Sequence, residues 1–287
     1  MDKPRTHEKW YERLSRIINS TVCFSLAYIA ITYLFWLIMG YAGKMYKFDS
    51  FVYYFGIKYI LNDNVWTKQS ITLIFSSGSI LSLVIGITAF FLFERLKHIK
   101  VIFNVFLLWL FIIGTTIFAA QAVIAVLGAN EFLSPFYQNL TVVYAWWHLP
   151  YAVVCLLVLP WLALFLFFAV NYAKPFLLTA YSYSKVNSES RRKSYFIETA
   201  VIPFILGSVI TTAVTFPMNI FVHAVYLGML GIAMLIGWLS LIYIKVSQDE
   251  IIRYKTLQQL DPIFLFLLLL AIFFVFIGWK GINLHVI

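Results

Sequence analysis

The stretch 200–246 constrains the fold most, because two apolar runs meet there at Pro217-Met218-Asn219 with almost nothing between them. It holds a single charged side chain, Lys245, and one histidine, His223. A soluble protein rarely leaves so large an apolar surface uncovered. A bilayer accepts it, because about 20 apolar residues span the hydrocarbon core and a helix satisfies its own backbone hydrogen bonds there. We therefore predict a transmembrane helical hairpin.

The composition extends this prediction to the whole chain. Only 11% of the 287 residues are charged and the mean hydropathy is +0.89, whereas an ordinary globular domain carries about 25% charged residues. The sequence predicts an all-α, polytopic transmembrane helical bundle, folded as a single integral membrane domain over residues 1–287. The lipid bilayer is its expected partner, and no nucleic acid is expected, because no soluble basic module with interleaved aromatic residues is present.

Apolar runs of spanning length predict about seven transmembrane helices. They cover residues 17–41, 70–93, 101–127, 146–171, 198–216, 220–246 and 262–278. The residues before the first span, 1–16, predict a short amphipathic helix on the membrane surface. Between the first two spans, apolar residues at helical spacing and several tyrosines favour an outer interfacial amphipathic helix within 44–69.

Basic residues predict the orientation. Sixteen of the 21 Lys and Arg residues fall on the side of the N-terminus when seven spans are assumed. Lys and Arg accumulate in cytoplasmic loops, so the N-terminus is predicted inside and the C-terminus outside. We expect the protein in a bacterial cytoplasmic (inner) membrane.

Small residues at four-residue spacing predict where helices approach closely. Gly78, Ser82 and Gly86 form such a row in the second span, and Ala224 and Gly228 form another in the sixth. Small side chains let two membrane helices come into close contact. We interpret both rows as helix-packing faces, the second one serving a tight hairpin between the fifth and sixth spans.

Polar residues inside the spans are candidates for a binding site. Gln121 lies in the third span, and Ser208, Thr212 and Thr215 lie in the fifth. An amide or hydroxyl in a membrane needs a hydrogen-bond partner, which a neighbouring helix or the residue's own helix can provide. Helix packing and a polar binding path both remain as interpretations of these residues, and helix packing is favoured.

Three histidines are the candidate metal ligands. The predicted topology places His148, His223 and His285 near the outer surface, where three imidazoles could hold zinc and leave one position open for water. None of the three has the close sequence spacing of known zinc sites. We therefore expect no cofactor, with zinc as the alternative.

The sequence favours a non-enzymatic integral membrane component: a transport, export or complex-assembly subunit that contacts other membrane protein subunits or a second copy of itself. The sequence lacks a P-loop, an H-E-x-x-H zinc helix and a G-x-S-x-G nucleophile elbow. The absence of these three motifs does not by itself exclude enzymatic activity. The alternative function is a membrane-embedded, possibly metal-dependent enzyme that acts on a lipid at the outer leaflet.

Overall fold

Long apolar helices dominate the structure. The computed structural model describes residues 10–54, 56–60, 65–96, 101–129, 135–215, 220–251, 260–278 and 281–284. Within these residues six helices are long and apolar enough to cross a membrane. The protein is an all-α helical bundle in its main body, and the six helices indicate an integral membrane protein.

The elements follow one another in a simple order. The helices are α1 (Trp10–Met45), α2 (Lys68–Leu96), α3 (Val101–Gly128), α4 (Leu140–Trp146), α5 (Tyr151–Asn171), α6 (Ala173–Leu178), α7 (Glu189–Phe196), α8 (Ile202–Thr215), α9 (Ile220–Ser240) and α10 (Pro262–Gly278). A 3₁₀ turn covers Tyr183–Lys185, and a π-helical turn over Ile197–Val201 joins α7 to α8. The strands are β1 (Ser50–Tyr53), β2 (Gly56–Tyr59) and β3 (Ile282–Leu284).

Helix α1 is the central element of the bundle. Its 36 residues extend for about 54 Å, and it packs against α2, α3, α8 and α10. The helix is already formed at Trp10, so residues 10–16 continue into the first span. The prediction of a separate surface helix is therefore wrong for these residues. The second core helix is α3, which packs against α2, α5 and α9.

The predicted interfacial helix is wrong, because the segment after α1 forms a β-hairpin. Strand β1 pairs with β2, and its other edge pairs with β3 from the far end of the chain, both in antiparallel fashion. Val52 packs onto the end of α1, where a Cβ on Gly40 would lie 2.5 Å from a Val52 methyl carbon. Aromatic and β-branched residues suit strands, so the tyrosines that favoured an interface also favour this hairpin.

Several predicted helix boundaries also differ from the structure. The fifth span is continuous from Glu189 through the π turn to Thr215, while α9 ends at Ser240 rather than at residue 246. The fourth span does not start at residue 146, because Pro150 separates α4 from α5 and serves as the N-cap residue of α5. The predicted hairpin tip at residues 217–219 lies outside the described residues.

Two helices meet through glycine where α2 packs against α3. A Cβ on Gly114 would lie 2.5 Å from the Ser82 carbonyl oxygen, and a Cβ on Gly86 would lie 3.0 Å from the Thr115 amide nitrogen. Gly78 faces α1, since its Cβ would meet the Phe35 ring at 2.8 Å. The backbones of α2 and α3 therefore approach more closely than larger side chains would allow.

The second predicted packing row, Ala224 and Gly228, does not lie at a contact between α8 and α9. Ala224 and Gly228 are exposed on α9, and a Cβ on Gly228 would meet nothing within 4 Å. Helix α8 packs mainly on α1, and α9 packs mainly on α3 and α5, so α8 and α9 touch only sparsely. The interpretation of this row as a tight α8–α9 contact is wrong, because each helix is buried against a different neighbour.

Helix α10 lies along α1 and leaves a groove beside it. Its first residues are tied to α1, because the Asp261 amide donates to the Asn19 side-chain oxygen at 3.2 Å. An apolar groove of about 820 Å³ runs between α1, α3 and α10, lined by residues such as Leu26, Phe106 and Phe274. Most of the helix faces outward, as expected for a helix in lipid.

Candidate functional site

A histidine is held between three helices in the interior of the bundle. His223, on α9, is only 4% exposed. Its Nδ1 lies 2.8 Å from the hydroxyl of Tyr28 on α1, and its Nε2 lies 2.9 Å from the hydroxyl of Thr212 on α8. The Tyr28 ring also meets the imidazole edge to face, with centroids 5.5 Å apart. Both ring nitrogens therefore have a hydroxyl partner from another helix.

This arrangement can exist in two hydrogen-bonded forms. A neutral imidazole has one N–H donor and one acceptor nitrogen, and a hydroxyl can act in either role. One of the two hydroxyls therefore donates to His223 while the other accepts, and the roles can be exchanged. Such a Tyr28–His223–Thr212 chain can pass a proton or change its partner without leaving a buried group unpaired.

A second polar pair lies one turn further along α9. The Gln121 side chain on α3 donates to the hydroxyl of Tyr226, and both residues are nearly fully buried. His223 and Tyr226 are three residues apart and share one face of α9. We call the five residues Tyr28, Gln121, Thr212, His223 and Tyr226 the core cluster.

Unpaired polar atoms lie beside the core cluster. A narrow cavity, too tight for a water molecule as it stands, is lined by Thr32, Phe35, Trp36, Ile117 and Tyr226. Within the described part of the chain, Thr32 Oγ1, Trp36 Nε1 and Gln121 Oε1 have no hydrogen-bond partner, although these three residues are at most 6% exposed. Each such group costs about 1–3 kcal/mol when it is left unpaired.

Among the residues that the structure describes, buried Asp, Glu, Lys or Arg side chains occur only near the start of α1. Arg16, which is 2% exposed, pairs with Glu198 in the π turn, and the half-exposed Arg13 reaches the same carboxylate. The Arg16 guanidinium also lies 5.1 Å from the centre of the Tyr195 ring. We call Arg13, Arg16, Tyr195 and Glu198 the ion-pair network. A buried carboxylate with two arginines is stabilised by charge pairing and by charge-assisted hydrogen bonds.

The π turn also provides a neutral contact to α1. Ser20 donates its hydroxyl proton to the Thr199 carbonyl at 2.6 Å and accepts from the indole N–H of Trp109 at 3.0 Å. Three helical segments are thereby joined one turn above Arg16. π-helical turns are frequent at functional sites because they alter the helix locally.

The predicted binding residues are placed differently from one another. Gln121 and Thr212 belong to the core cluster, whereas Thr215 donates to the Thr211 carbonyl of its own helix at 2.7 Å. Ser208 is half-buried. Serine and threonine hydroxyls in membrane helices commonly bond to their own helix. Ser208, Thr212 and Thr215 lie on the same face of α8 but therefore do not share one role.

The three predicted metal ligands do not have equivalent surroundings. His223 is buried between helices in the first turn of α9, while His148 is exposed in the turn before α5 with φ of 53°. His285 lies outside the described residues. Among the residues whose placement is described, no group of three His, Cys, Asp or Glu side chains could hold a metal ion. Zinc binding stays a prediction.

Sequence reasoning missed four residues of this region. They are Tyr28, Thr32, Trp36 and Tyr226. The first three recur every four residues on α1 and so share one face of that helix. That row of polar-tipped side chains within an apolar span is the signal that could have identified them, although their partners on α3, α8 and α9 could not be inferred from it.

Comparison of the chain with protein-family models, curated proteins and solved structures found no match.

Proposed function

We propose that this protein is a non-enzymatic membrane transport component in which the core cluster contacts the transported species. The observation that carries this proposal is the buried His223, bonded to hydroxyls of two other helices. Ionisable residues inside membrane bundles are rare and commonly mark substrate or proton pathways. Among transport, export and assembly, transport is therefore the role favoured by the core cluster.

Packing alone is a weaker account of the core cluster. A purely structural polar contact needs each buried group paired, as His223 is. The neighbouring Thr32, Trp36 and Gln121 each have an atom without a partner among the described residues. Each such atom costs free energy when it stays unpaired inside the bundle. This combination favours a path over a packing contact.

The proposed orientation keeps seven crossings, with the N-terminus in the cytoplasm and the C-terminus outside. Helix α10 has only 17 residues, but its two ends support a seventh crossing. It starts beside Asn19 near the start of α1, and β3, which follows it, pairs with β1 beyond the other end of α1. Helix α10 therefore covers much of the same depth as α1.

The alternative function is an enzyme that acts on a lipid at the outer leaflet, and it has less support. Its best candidate residue, His223, already has both ring nitrogens bonded to hydroxyls, one on α1 and one on α8. A catalytic base needs one nitrogen within reach of its substrate. We propose that the chain carries out the transport role together with other membrane protein subunits or a second copy of itself.

Cysteine labelling tests the transport proposal. A Tyr226→Cys variant, made with Cys23 and Cys155 replaced by Ala, is treated in membranes with a membrane-impermeant thiol reagent from each side. Tyr226 is buried, and a transport path must admit water to the core cluster, so we expect Tyr226→Cys to be labelled from at least one side. Because thiols react as thiolates, a lipid-facing cysteine without access to water would not react.

Three control positions calibrate this experiment. Ala233→Cys, at a fully buried position on α9, should stay unlabelled. Gln138→Cys should react from outside and Ser188→Cys from the cytoplasm in the proposed orientation. If neither Gln121→Cys nor Tyr226→Cys reacts from either side while the loop controls do, the transport proposal is wrong and the core cluster is a packing contact.

A further inference from the structure

We propose that the apolar groove between α1, α3 and α10 holds an acyl chain of a bilayer phospholipid. The groove has a volume of about 820 Å³, and cavities of about 300–1,000 Å³ commonly bury a small ligand. This inference goes beyond the proposed transport function and does not depend on it, because the groove and the core cluster have no residue in common.

The lining of the groove is suited to hydrocarbon. Of its fourteen lining residues, only Tyr33 has a polar side chain. All the others are aliphatic or aromatic except Gly281, and none of the fourteen carries a charge. A polar ligand would give up hydrogen bonds to water there without replacing them. A hydrocarbon chain has no such bonds to lose.

The groove also has the length of a lipid chain. Its wall on α10 extends from Phe264 to Val275, which corresponds to about 17 Å along a helix. The hydrocarbon core of a bilayer is about 30 Å thick, so the chains of one leaflet occupy about 15 Å of it. One acyl chain can therefore lie along the groove for most of its length.

The shape of the groove favours a lipid chain over a helix of a partner protein. A helix is about 10–12 Å wide, so about 17 Å of it would need more than about 1,300 Å³. This volume exceeds that of the groove. At one end, the rings of Phe106 on α3 and Phe264 on α10 approach each other with centroids 5.9 Å apart. A helix cannot pass between rings this close, whereas a flexible chain can enter from the side.

The groove is continuous with the surface of α10 that faces lipid. Leu267, Leu270 and Phe274 line the groove and are exposed as well. Leu269 and Phe273 are exposed on the same helix but do not line the groove, so they mark its outward face. A lipid chain can therefore move from the bilayer into the groove without crossing a polar region.

A bound chain would stabilise the position of α10. Among the described elements, α10 packs extensively only on α1, and it reaches α3 through the contact between Phe264 and Phe106. An acyl chain in the groove would fill the space between α10 and α3 and add dispersion contacts to both helices. The lipid would thus act as a structural part of the bundle.

Native mass spectrometry of the purified full-length protein tests the proposal. The protein is extracted in a mild detergent, and a lipid that stays bound is identified from the added mass. We expect a phospholipid to stay bound to the unmodified protein. Leu270→Trp should abolish this binding, because the indole would occupy the groove. Leu269→Trp makes the same substitution on the outward face of α10 and should keep the lipid.

Photocrosslinking locates the chain without any substitution in the groove. The unmodified protein is reconstituted into phosphatidylcholine vesicles in which a small fraction of the lipid carries a diazirine in its acyl chain. Crosslinked residues are mapped after irradiation. We expect several-fold more crosslinks at Ala30 and Leu270 than at Leu269 and Phe273, because a bound chain stays beside the groove residues longer than a chain of the surrounding bilayer does.

The inference is wrong if the unmodified protein keeps no phospholipid, if Leu269→Trp and Leu270→Trp keep it equally, or if crosslinks are equally frequent in the groove and on the outward face. A dimer that is lost in Leu270→Trp but not in Leu269→Trp would assign the groove to a second copy of the chain instead. If Leu270→Trp does not fold, Ala30→Phe on the α1 wall takes its place. Neither experiment involves the core cluster, so this inference and the transport proposal can fail independently.

Discussion

The ion-pair network and the core cluster both bury polar groups against α1, but they do so with different chemistry. In the network, the Glu198 carboxylate pairs with two arginines. In the core cluster, His223 is bonded only to neutral hydroxyls. Charges attract strongly in a low dielectric and are costly when separated, whereas hydroxyls exchange their donor and acceptor roles easily. The network is therefore suited to fix helices, and the core cluster to change partners.

The positions of the ion-pair network and the core cluster agree with these different roles. The network joins α1 to the π turn next to the half-exposed Arg13, where water is near and charge is tolerated. The core cluster lies near the middle of α1 and connects it to α3, α8 and α9. A rigid anchor at one end of α1 and adjustable neutral contacts near its middle fit the proposed transport role.

The largest expected effect comes from breaking the ion-pair network. Glu198→Ala leaves the buried Arg16 guanidinium without its carboxylate, and removal of one member of a buried pair costs about 3–5 kcal/mol. Thermal unfolding of the purified protein in detergent should therefore show a large fall in Tm. Glu189→Ala, at an exposed carboxylate paired with Lys193, is the control and should leave Tm nearly unchanged. If Glu198→Ala and Glu189→Ala had the same Tm, the proposed role of the ion-pair network in fixing the helices would be wrong.

A smaller loss is expected in the core cluster. Tyr28→Phe keeps the ring but removes the hydroxyl 2.8 Å from His223 Nδ1, so a buried nitrogen is left unpaired at a cost of about 1–3 kcal/mol. The same unfolding measurement should give a Tm between those of Glu198→Ala and the unmodified protein. Tyr243→Phe, at a tyrosine that is 85% exposed, serves as the control. A Tyr28→Phe protein that melts like this control would mean that His223 finds another partner.

The helices could be predicted from the sequence because long apolar runs leave few alternatives. Residues 70–93 and 101–127 became α2 and α3 with small changes at their ends. The hairpin after α1 could not be predicted in the same way. Strand β1 is completed by β3, more than 200 residues later, and such a pairing leaves no local pattern in the sequence.

The candidate site was predictable only in part, for a similar physical reason. Gln121, Thr212 and His223 are conspicuous as polar residues in apolar surroundings, and all three lie in the core cluster. Their partners are set by packing between distant helices, as for Tyr28 and His223, which are 195 positions apart. Spacing alone also could not separate Gly86, which faces α3, from Gly228, which faces open space.

The smallest expected effect concerns the surface ion pair between Lys174 and Glu250, which like the ion-pair network joins a carboxylate to a basic side chain. Lys174 donates to Glu250 at 3.0 Å, and the Ser247 amide donates to the other carboxylate oxygen at 3.0 Å. The hydrogen bond from the Ser247 amide and the Lys174 ammonium lower the pKa of Glu250 below its ordinary value of 4.5. Both side chains are more than 40% exposed, so the pair should contribute less than about 1 kcal/mol.

The direction of its pH dependence follows from the lowered pKa. A carboxylate whose pKa is lower in the folded protein stabilises the fold fully above pH 4.5, and this stabilisation is lost as the pH falls through the folded value. Glu250→Gln should therefore melt slightly below the unmodified protein at pH 7, and the difference should shrink in acid and in high salt. Asp249→Asn, which removes the same charge next to it, is the control. A loss as large as that of Glu198→Ala would show that burial does not set the strength of these ion pairs.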